Sequence, residues 1–320
     1  MIKTIIRRLL ILIPQLFIIA CVTFALSQLM PGDFVSLQIG GELTWSEIQA
    51  MREQLGLDRP WYFQFWTWFS SIIRGDFGLS AIHHRPVIDV IGERIVNTFR
   101  LSLVATLLFF AIALPLGITA GRFHRRLPDK VILLYGFIGL ALPTLVLAIL
   151  LIFIFGIRLE WLPARGSVDA FAVGTGFGEF VSRLRHMILP ATAMATFSGI
   201  GMIYVLRSQI IEGKASDYAL TARSKGIPER VIFNKHILRN SIIPLAQGIG
   251  LTFVGLLTGT VLIEWIFIYP GMGDLFITSI TNRDFNVASA LILIFAAFTA
   301  VGVLIGDIAL TIADPRIRIR

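Results

Sequence analysis

The chain has 320 residues, of which 56% are hydrophobic and only 15% are charged. Because one soluble core cannot bury that much apolar side chain, the composition predicts a polytopic membrane protein. The same composition excludes an intrinsically disordered chain, and the single cysteine, Cys21, excludes a secreted domain held by disulfides. We interpret the formal net charge of +8 as a mark of cytoplasmic connections between membrane spans.

In chain order, six runs without Asp, Glu, Lys or Arg are long enough to cross about 30 Å of hydrocarbon as helices. They predict an all-α polytopic membrane protein with six transmembrane helices. Prolines within the runs predict kinks or helix ends. The runs are 9–32, 101–121, 131–157, 186–206, 240–263 and 285–306, and the prolines are Pro14, Pro115, Pro143, Pro190 and Pro244.

Lysine and arginine are unevenly distributed among the connections between these runs. If the N-terminus is cytoplasmic, the inside connections are about three times as rich in these residues as the outside connections. We therefore predict that both termini are cytoplasmic. The first apolar run continues past Cys21 to Met30, which is longer than the apolar part of a cleaved signal peptide, so we expect it to remain as a helix.

The predicted spans divide the chain into three parts. Residues 1–30 hold the N-terminus and the first helix, 31–98 form an extracytoplasmic segment, and 99–320 form a five-helix core that contains the connection 207–239. In the extracytoplasmic segment, Thr44 or Ser46 is predicted to cap a short amphipathic helix. Aromatic residues follow, and they are typical of an interfacial belt, with a partner-docking surface as the alternative. These aromatic residues are Trp61, Phe63, Phe65, Trp66, Trp68 and Phe69.

The connection 207–239 is the second polar segment, and its position predicts that it is cytoplasmic. Residues 217–225 predict a short helix that Gly226 closes as a C-terminal cap. Pro228 is predicted to be the first residue of a second helix that ends near Arg239. The positive charge of the connection fits a surface that rests on anionic lipid headgroups, or a docking element for a cytoplasmic partner.

Short motifs occur in order along the whole chain. The longest lies in the predicted loop, where Asp217 to Gly226 reads DYALTARSKG, followed by HILRN at 236–240 and by Pro244. The others are RRLL at 7–10, LMPGD at 29–33, LGLDRP at 55–60, RGDFGLS at 74–80, RPV at 85–87, NT at 97–98, WLP at 161–163, EWIF at 264–267, YPG at 269–271, NRD at 282–284 and DPR at 314–316. Their ordered combination resembles ABC importer permeases of the oligopeptide, dipeptide and nickel group.

This resemblance implies one half of a heterodimeric pore, in which a second homologous permease subunit supplies the other half. Two ATPase subunits would bind on the cytoplasmic side, and an extracytoplasmic binding protein would deliver oligopeptides or dipeptides. The alternative cargo is a nickel chelate or another small solute. The location would be a bacterial or archaeal plasma membrane, with lipid around the chain and no nucleic-acid partner.

The same resemblance implies that the loop helix seats in a groove of the ATPase and transmits its closure to the membrane helices. Arg223 and Lys225 would pair with acidic residues of that partner. By position in the motif, the ATPase-coupling residues would be Asp217, Tyr218, Thr221, Ala222, Arg223, Lys225 and Gly226.

The sequence contains no G-x-x-x-x-G-K-[ST] phosphate loop, so we expect ATP and Mg to be bound by the partner ATPases and not by this chain. We predict no catalytic, cofactor-binding or metal site in this chain. His83 and His84 are adjacent, and neighbouring residues of a regular element do not present both rings to one metal, so we expect an exposed loop there.

A pathway for a polar solute needs polar or small side chains that face inward. We predict that Thr196, Gln247, Thr258 and Glu264 line the pathway or its gate. For the hydroxyls, the alternative is a hydrogen bond to a carbonyl of their own helix. For Glu264 and Asp307, acidic residues near the ends of apolar runs, the alternative is a snorkelling or salt-bridged structural role. Further hydroxyl candidates in the runs are Thr106, Thr119, Thr192, Ser198, Thr252 and Thr260.

Two other classes of protein fit the composition alone. An integral-membrane enzyme would use polar groups at the membrane face, and an ion channel would show a selectivity filter or a charged ring, which is not evident here. The 207–239 connection separates the classes, because an importer needs it for ATPase docking whereas an enzyme or a channel does not.

Overall fold

The computed structural model describes residues 2–29, 49, 53 and 58–313, and in these ranges the chain is mostly helical with no β-strand. The predicted cap at Thr44 or Ser46 lies outside the described residues. The α-helices are α1 (Ile2–Leu29), α2 (Trp61–Ile73), α3 (Val87–Arg122), α4 (Leu127–Ala141), α5 (Thr144–Leu151), α6 (Phe177–Ser198), α7 (Ile200–Ala215), α8 (Asp217–Ser224), α9 (Glu229–Val231), α10 (Leu238–Ile266), α11 (Met272–Thr281) and α12 (Phe285–Ala313).

Shorter helical turns connect some of these elements. A π-helical segment, Ile152–Arg158, continues α5, and a second one, Ile232–Ile237, joins α9 to α10. A 3-10 turn, Ala170–Ala172, precedes α6.

Within the described residues, three helices are long and apolar enough to cross a membrane. They provide the segments Leu10–Gln28, Val87–Arg122 and Phe285–Gly306. Two further pairs of helices pass the same test together, although each pair is bent. The described part of the chain therefore has three to five candidate spans by length and composition.

The sharper bend, 98°, lies between α4 and α5 with its π-helical extension. Leu142 and Pro143 are both extended there, with ψ angles of 114° and 139°. Proline has no N–H to continue the helix and disfavours a helical residue before it, which confirms the predicted interruption at Pro143. The second bend, 43°, separates α6 from α7 at Gly199, whereas Pro190 lies inside α6.

The helix α3 begins earlier than the apolar run at 101–121 predicts. Its first residue is Val87, directly after Pro86, and its N-terminal third carries charged residues that include Glu93 and Arg94. An α-helix of this length extends about 54 Å, well beyond the roughly 30 Å of a hydrocarbon core. Hydropathy locates the apolar part of such a helix but not where the helix begins.

The structure forms two compact units, of which the first comprises Phe99–Tyr269 and the chain from Val301 onwards. Its core contains one face of α3 with the spacing of an amphipathic helix, namely Leu101, Ala105, Phe109 and Ala113, all at most 5% exposed. Small and sulfur-containing residues of α6 belong to the same core.

The second unit comprises Ile2–Thr98 and Pro270–Ala300. In it, α2 packs on α1 through edge-to-face aromatic contacts, because Phe65 lies 6.0 Å from Phe17 and 5.4 Å from Phe24 between ring centroids. The aromatic residues of the 31–98 segment therefore divide into two sets. Phe65 is buried, whereas Trp61 and Trp66 are more than half exposed.

Candidate functional site

The loop helix, α8, ends where the sequence predicts. Gly226 has a φ of +71°, its N–H donates to the carbonyl of Arg223 at 2.9 Å, and the next N–H, of Ile227, donates to the carbonyl of Ala222 at 3.2 Å. A positive φ is readily accessible only to glycine, so this turn confirms Gly226 as the cap.

The following helix differs from the prediction. Pro228 occupies the capping position before Glu229, and the helix does not end near Arg239. It continues through the π-helical turn Ile232–Ile237 into α10. That prediction was wrong because no helix-breaking residue lies between Pro228 and the apolar run, and a π-turn accommodates the junction without a loop.

One face of α8 packs into the first unit. Ala219 and Ala222 are buried, and they belong to one apolar cluster with Ile232, Phe233 and Ile237. The Ala222 methyl group therefore faces this chain's own helices and does not contribute to the outer surface. The other face of α8 and the turn that follows it are exposed. The exposed positions are Asp217, Tyr218, Leu220, Thr221, Arg223, Ser224, Lys225 and Gly226.

The guanidinium group of Arg223 is engaged within the chain. Its Nε and Nη2 donate to the two carboxylate oxygens of Glu229 at 3.1 and 2.9 Å, and its Nη1 donates to the backbone oxygen of Lys214 at 3.0 Å. The hydrogen bonds from Arg223 hold the pKa of Glu229 below its ordinary value, and the same pair raises the pKa of Arg223. This internal pair fixes the end of α8 to the start of α9, and pairing of Arg223 with an acidic partner residue stays a prediction.

Lys225 has a different environment from Arg223. It is exposed, and its side chain makes no ion pair with any residue in the part of the chain that the structure describes. Its ammonium group can therefore meet an acidic group on a partner without breaking a contact inside this chain.

Lys214 connects α7 to the end of α3. Its Nζ donates to the carbonyl of Gly121 at 2.9 Å and to the carbonyl of Arg122 at 2.5 Å. These carbonyls belong to the last turn of α3, which has no further intrahelical donors, so the lysine supplies donors that the helix end lacks. Through Lys214, the loop helix is linked to the C-terminus of α3.

Glycines bring α7 close to both α3 and α4. A Cβ placed at Gly121 would lie 2.7 Å from Cβ of Ile210, and one placed at Gly117 would lie 3.1 Å from Cβ of Leu206. On α4, a Cβ at Gly136 would collide with the ring of Tyr204. The three helices therefore pack without intervening side chains on the glycine side.

An ion pair that the sequence did not reveal joins α4 to α7. Asp129, in the first turn of α4, is buried, and its two carboxylate oxygens accept hydrogen bonds from Nε and Nη2 of Arg207 at 2.6 and 2.9 Å. The Arg125 N–H donates to the same carboxylate at 2.7 Å, and His124 lies 3.3 Å away. Both partners flank apolar runs on the same predicted side of the membrane, but sequence separation gives no signal that they pair.

Two of the predicted pathway residues have hydroxyl groups that are hydrogen-bonded within their own helices. The hydroxyl of Thr196 donates to the carbonyl of Thr192 at 2.6 Å, and that of Thr258 donates to the carbonyl of Val254 at 3.0 Å. Glu264 is fully buried near the end of α10, and the side chain of Gln247 lies outside the described part of the structure. Their role in a pathway stays a prediction.

Several motif residues outside the loop form buried contacts within the second unit. The hydroxyl of Ser80 donates to a carboxylate oxygen of Asp284 at 2.5 Å, and both residues are buried. The hydroxyl of Thr98 accepts a hydrogen bond from the N–H of Met272 at 2.7 Å. Asn97 donates to the carbonyl of Pro270 at 2.8 Å. These motifs therefore join distant parts of the chain in the fold.

Sequence comparison identifies the kind of protein that carries this loop. The family described as "Binding-protein-dependent transport system inner membrane component" matches residues 113–319, and the N-terminal part of such membrane components matches residues 1–102. The chain belongs to this family. As a permease of an ABC importer, it is a multi-pass component of the plasma membrane, and the transporter family is not itself an enzyme family.

Curated relatives match the permease over almost its whole length. The oligopeptide transport system permease protein AppB of Bacillus subtilis is 36% identical over 314 residues, which cover 98% of each chain. The glutathione transport system permease protein GsiC of Escherichia coli K12 is 35% identical over 318 residues, which cover 99% of each chain. A solved structure, the crystal structure of an amino acid ABC transporter with histidines, aligns with a TM-score of 0.49 and 17% identity over 72% of this chain and 94% of that one.

Proposed function

We propose that this permease forms half of the translocation pathway of an ATP-driven peptide importer, and that α8 is its coupling helix. A second permease subunit completes the pathway, two ATPase subunits bind and hydrolyse ATP with Mg on the cytoplasmic side, and an extracytoplasmic binding protein delivers the cargo. This chain contributes no catalytic group and no cofactor site to ATP hydrolysis.

The observation that carries this proposal is the construction of α8. Its outer face is exposed, while its inner face and its two ends are fixed to helices of the same unit. A docking element that merely rested on lipid headgroups would not require such a fixed support. An element that transmits force does require it, because a loose helix would absorb the movement of its partner.

Two sets of hydrogen bonds connect α8 to the membrane helices, and through them a movement of the ATPases can be transmitted. Arg223 and Lys214 link α8 to α7 and to the end of α3, and Arg207 with Asp129 links α7 to α4. At these glycines α7 packs closely against α3 and α4. Because closely packed helices cannot shift independently, we expect α3, α4 and α7 to move together when the ATPases close.

The proposal includes six spans with both termini on the cytoplasmic side. The proposed spans are the candidates α1, α3, the bent pair α4 and α5, the bent pair α6 and α7, and α12. To these the proposal adds α10, which contains the apolar run 240–263. This order places α8 between the fourth and fifth spans, on the same side as the basic connection between α3 and α4. The distribution of lysine and arginine supports that side as cytoplasmic.

Peptides are the proposed cargo. The names of the two relatives support this, since one is an oligopeptide permease and the other a permease for glutathione, which is a tripeptide. They do not favour a nickel chelate, and the family membership does not favour a membrane enzyme or a channel.

The test is charge reversal at Lys225 in the complete transporter, reconstituted in proteoliposomes with its partner subunits and binding protein. Lys225→Glu should weaken ATPase association and lower peptide uptake severalfold, because it would oppose an acidic partner surface. Lys130→Glu is the matched control, since Lys130 is also exposed and lies on the same proposed side but outside α8. Normal uptake and ATPase recovery with Lys225→Glu would overturn the proposed role of α8.

A further inference from the structure

A cavity of about 530 Å³ lies between α3 and α6 in the first unit. This volume is within the range of small-ligand sites, roughly 300–1,000 Å³. Charged groups line it together with apolar side chains, a composition typical of sites that hold a small ligand in a defined orientation. Among its lining residues are Arg100, Glu179, Arg183, Leu103, Val104 and Met187.

Among the charged side chains that line this cavity, one positive charge has no negative partner. Arg183 donates from Nε and Nη2 to one carboxylate oxygen of Glu179, at 2.9 and 2.7 Å, so these two side chains neutralise each other. Arg100 is exposed and makes no ion pair with any side chain in the described residues. The lining therefore carries a net charge of +1.

A buried group lies close to the same two arginines. Burial, with a smaller contribution from the charge of Glu264, raises the pKa of Tyr269 to about 12, and the positive charges of Arg100 and Arg183 oppose this rise. Tyr269 is almost completely buried, and it is within electrostatic range of Arg100 and Arg183.

The cavity lies at the end of the helices away from α8. Arg100 precedes the apolar run of α3, whereas Gly121 and Arg122, which accept hydrogen bonds from Lys214, end it. An α-helix of that length separates the two ends by roughly 30 Å, which is one bilayer thickness. With α8 on the cytoplasmic side, the cavity is on the side from which a binding protein delivers its cargo.

We propose that this cavity is a receiving site for the free α-carboxylate of a peptide, with Arg100 as its anchoring cation. This inference rests on the proposed function. A guanidinium group binds a carboxylate with two parallel hydrogen bonds, and the single uncompensated charge matches the single charge of a peptide C-terminus. Apolar residues such as Leu103, Val104 and Met187 provide the contact surface for the last side chain, and the Glu179–Arg183 pair keeps the second guanidinium oriented towards the cavity.

The experiment measures uptake of trialanine with a free carboxylate and of its C-terminal amide by the complete reconstituted transporter. The same wild-type binding protein is used throughout, and its intrinsic fluorescence shows that it is saturated with each peptide. The ratio of acid uptake to amide uptake is then compared between permease variants. Because the binding protein is unchanged, a change in this ratio reports on the permease.

Arg100→Gln should lower the acid-to-amide ratio about tenfold, the effect of losing a hydrogen-bonded charge partner, while leaving amide uptake near the wild-type rate. Arg100→Lys keeps the positive charge but lacks the two parallel N–H donors of a guanidinium group. Its acid-to-amide ratio should therefore lie between those of Arg100→Gln and the wild type. Arg185→Gln is the matched control on α6, because Arg185 bonds the carbonyl of Trp161 at 3.2 Å and does not line this cavity.

An unchanged ratio in Arg100→Gln would overturn the receiving site, and so would an equal loss of acid and amide uptake with no recovery in Arg100→Lys. Failure of the proposed function is distinguishable from both results, because then the wild-type transporter would import neither form of the peptide.

Discussion

The guanidinium group of Arg223 and the backbone carbonyl of Lys214 are joined by a hydrogen bond of 3.0 Å, while the ammonium group of the same lysine bonds the last turn of α3. Lys214 therefore accepts a hydrogen bond from the end of α8 through its backbone carbonyl, and its side chain donates hydrogen bonds to the end of α3. This arrangement makes Lys214 a direct link between the proposed ATPase-docking element and α3.

Replacing Lys214 with methionine keeps the length of the side chain and removes its donors. We expect Lys214→Met to reduce peptide uptake per ATP hydrolysed about tenfold, since a hydrogen bond from a charged group contributes about 1.5–3 kcal/mol. Parallel assays of ATP hydrolysis and uptake in proteoliposomes measure this ratio. Lys130→Met, which removes an exposed lysine outside the link, should leave it unchanged, and an unaltered ratio in Lys214→Met would remove this residue from the coupling path.

The pair between Arg223 and Glu229 predicts a pH dependence of the α8 turn. The pKa of Glu229 is lower in the folded chain than its ordinary value of 4.5, chiefly through hydrogen bonds from Arg223. The stabilisation from this pair is therefore complete above 4.5 and is lost as the pH falls through the lower folded value. Amide protection from hydrogen exchange at Lys225 to Ile227, corrected for intrinsic rates, should decrease in that acidic range.

Glu229→Gln tests this assignment directly. The variant should show reduced protection already at neutral pH and no acidic transition, because glutamine cannot titrate. Glu212→Gln, at an exposed carboxyl on α7, serves as the control and should keep the wild-type profile. An acidic loss of protection that persists in Glu229→Gln would mean that another group controls the turn.

Close packing between α3 and α7 predicts a stability difference between two glycine substitutions. Gly121→Ala would place a methyl group 2.7 Å from Cβ of Ile210, an overlap that should lower the free energy of unfolding by about 1–3 kcal/mol. Gly201→Ala on α7 meets nothing within 4 Å and should be neutral or stabilising by up to about 1 kcal/mol. Thermal unfolding of the two variants in mild detergent gives the comparison, and equal midpoints would show that the helices separate readily at Gly121.

The sequence predicted those parts of this fold that depend on local patterns. Runs of apolar residues located the long helices, Pro143 marked the sharp bend, and Gly226 marked the end of α8 because a positive φ leaves a clear residue signature. The continuation of the second loop helix into α10 was missed, since a π-turn has no comparable signature.

Sequence patterns did not predict which distant residues contact each other in the fold. The motif predicted a coupling role for Arg223, which stays a prediction, but it gave no sign of the internal pairing with Glu229, which depends on how two short helices meet. Likewise, Asp129 and Arg207 are 78 residues apart along the chain, and only the packing of α4 against α7 shows that they form a pair. The inward direction of Ala222 follows from the same tertiary contacts.

Site-specific cross-linking of α8 tests the central claim most directly. Cys21 is the only cysteine, so Cys21→Ser provides a background in which a single new cysteine, Thr221→Cys, reports on the exposed face of the helix. A cysteine at Phe171, which is 99% exposed in the connection before α6, is the control on the opposite proposed side. The account predicts that Thr221→Cys cross-links to the ATPase subunit in the assembled transporter, in an ATP-dependent yield, and that Phe171→Cys does not. Cross-linking of the ATPase from Phe171→Cys but not from Thr221→Cys would contradict it.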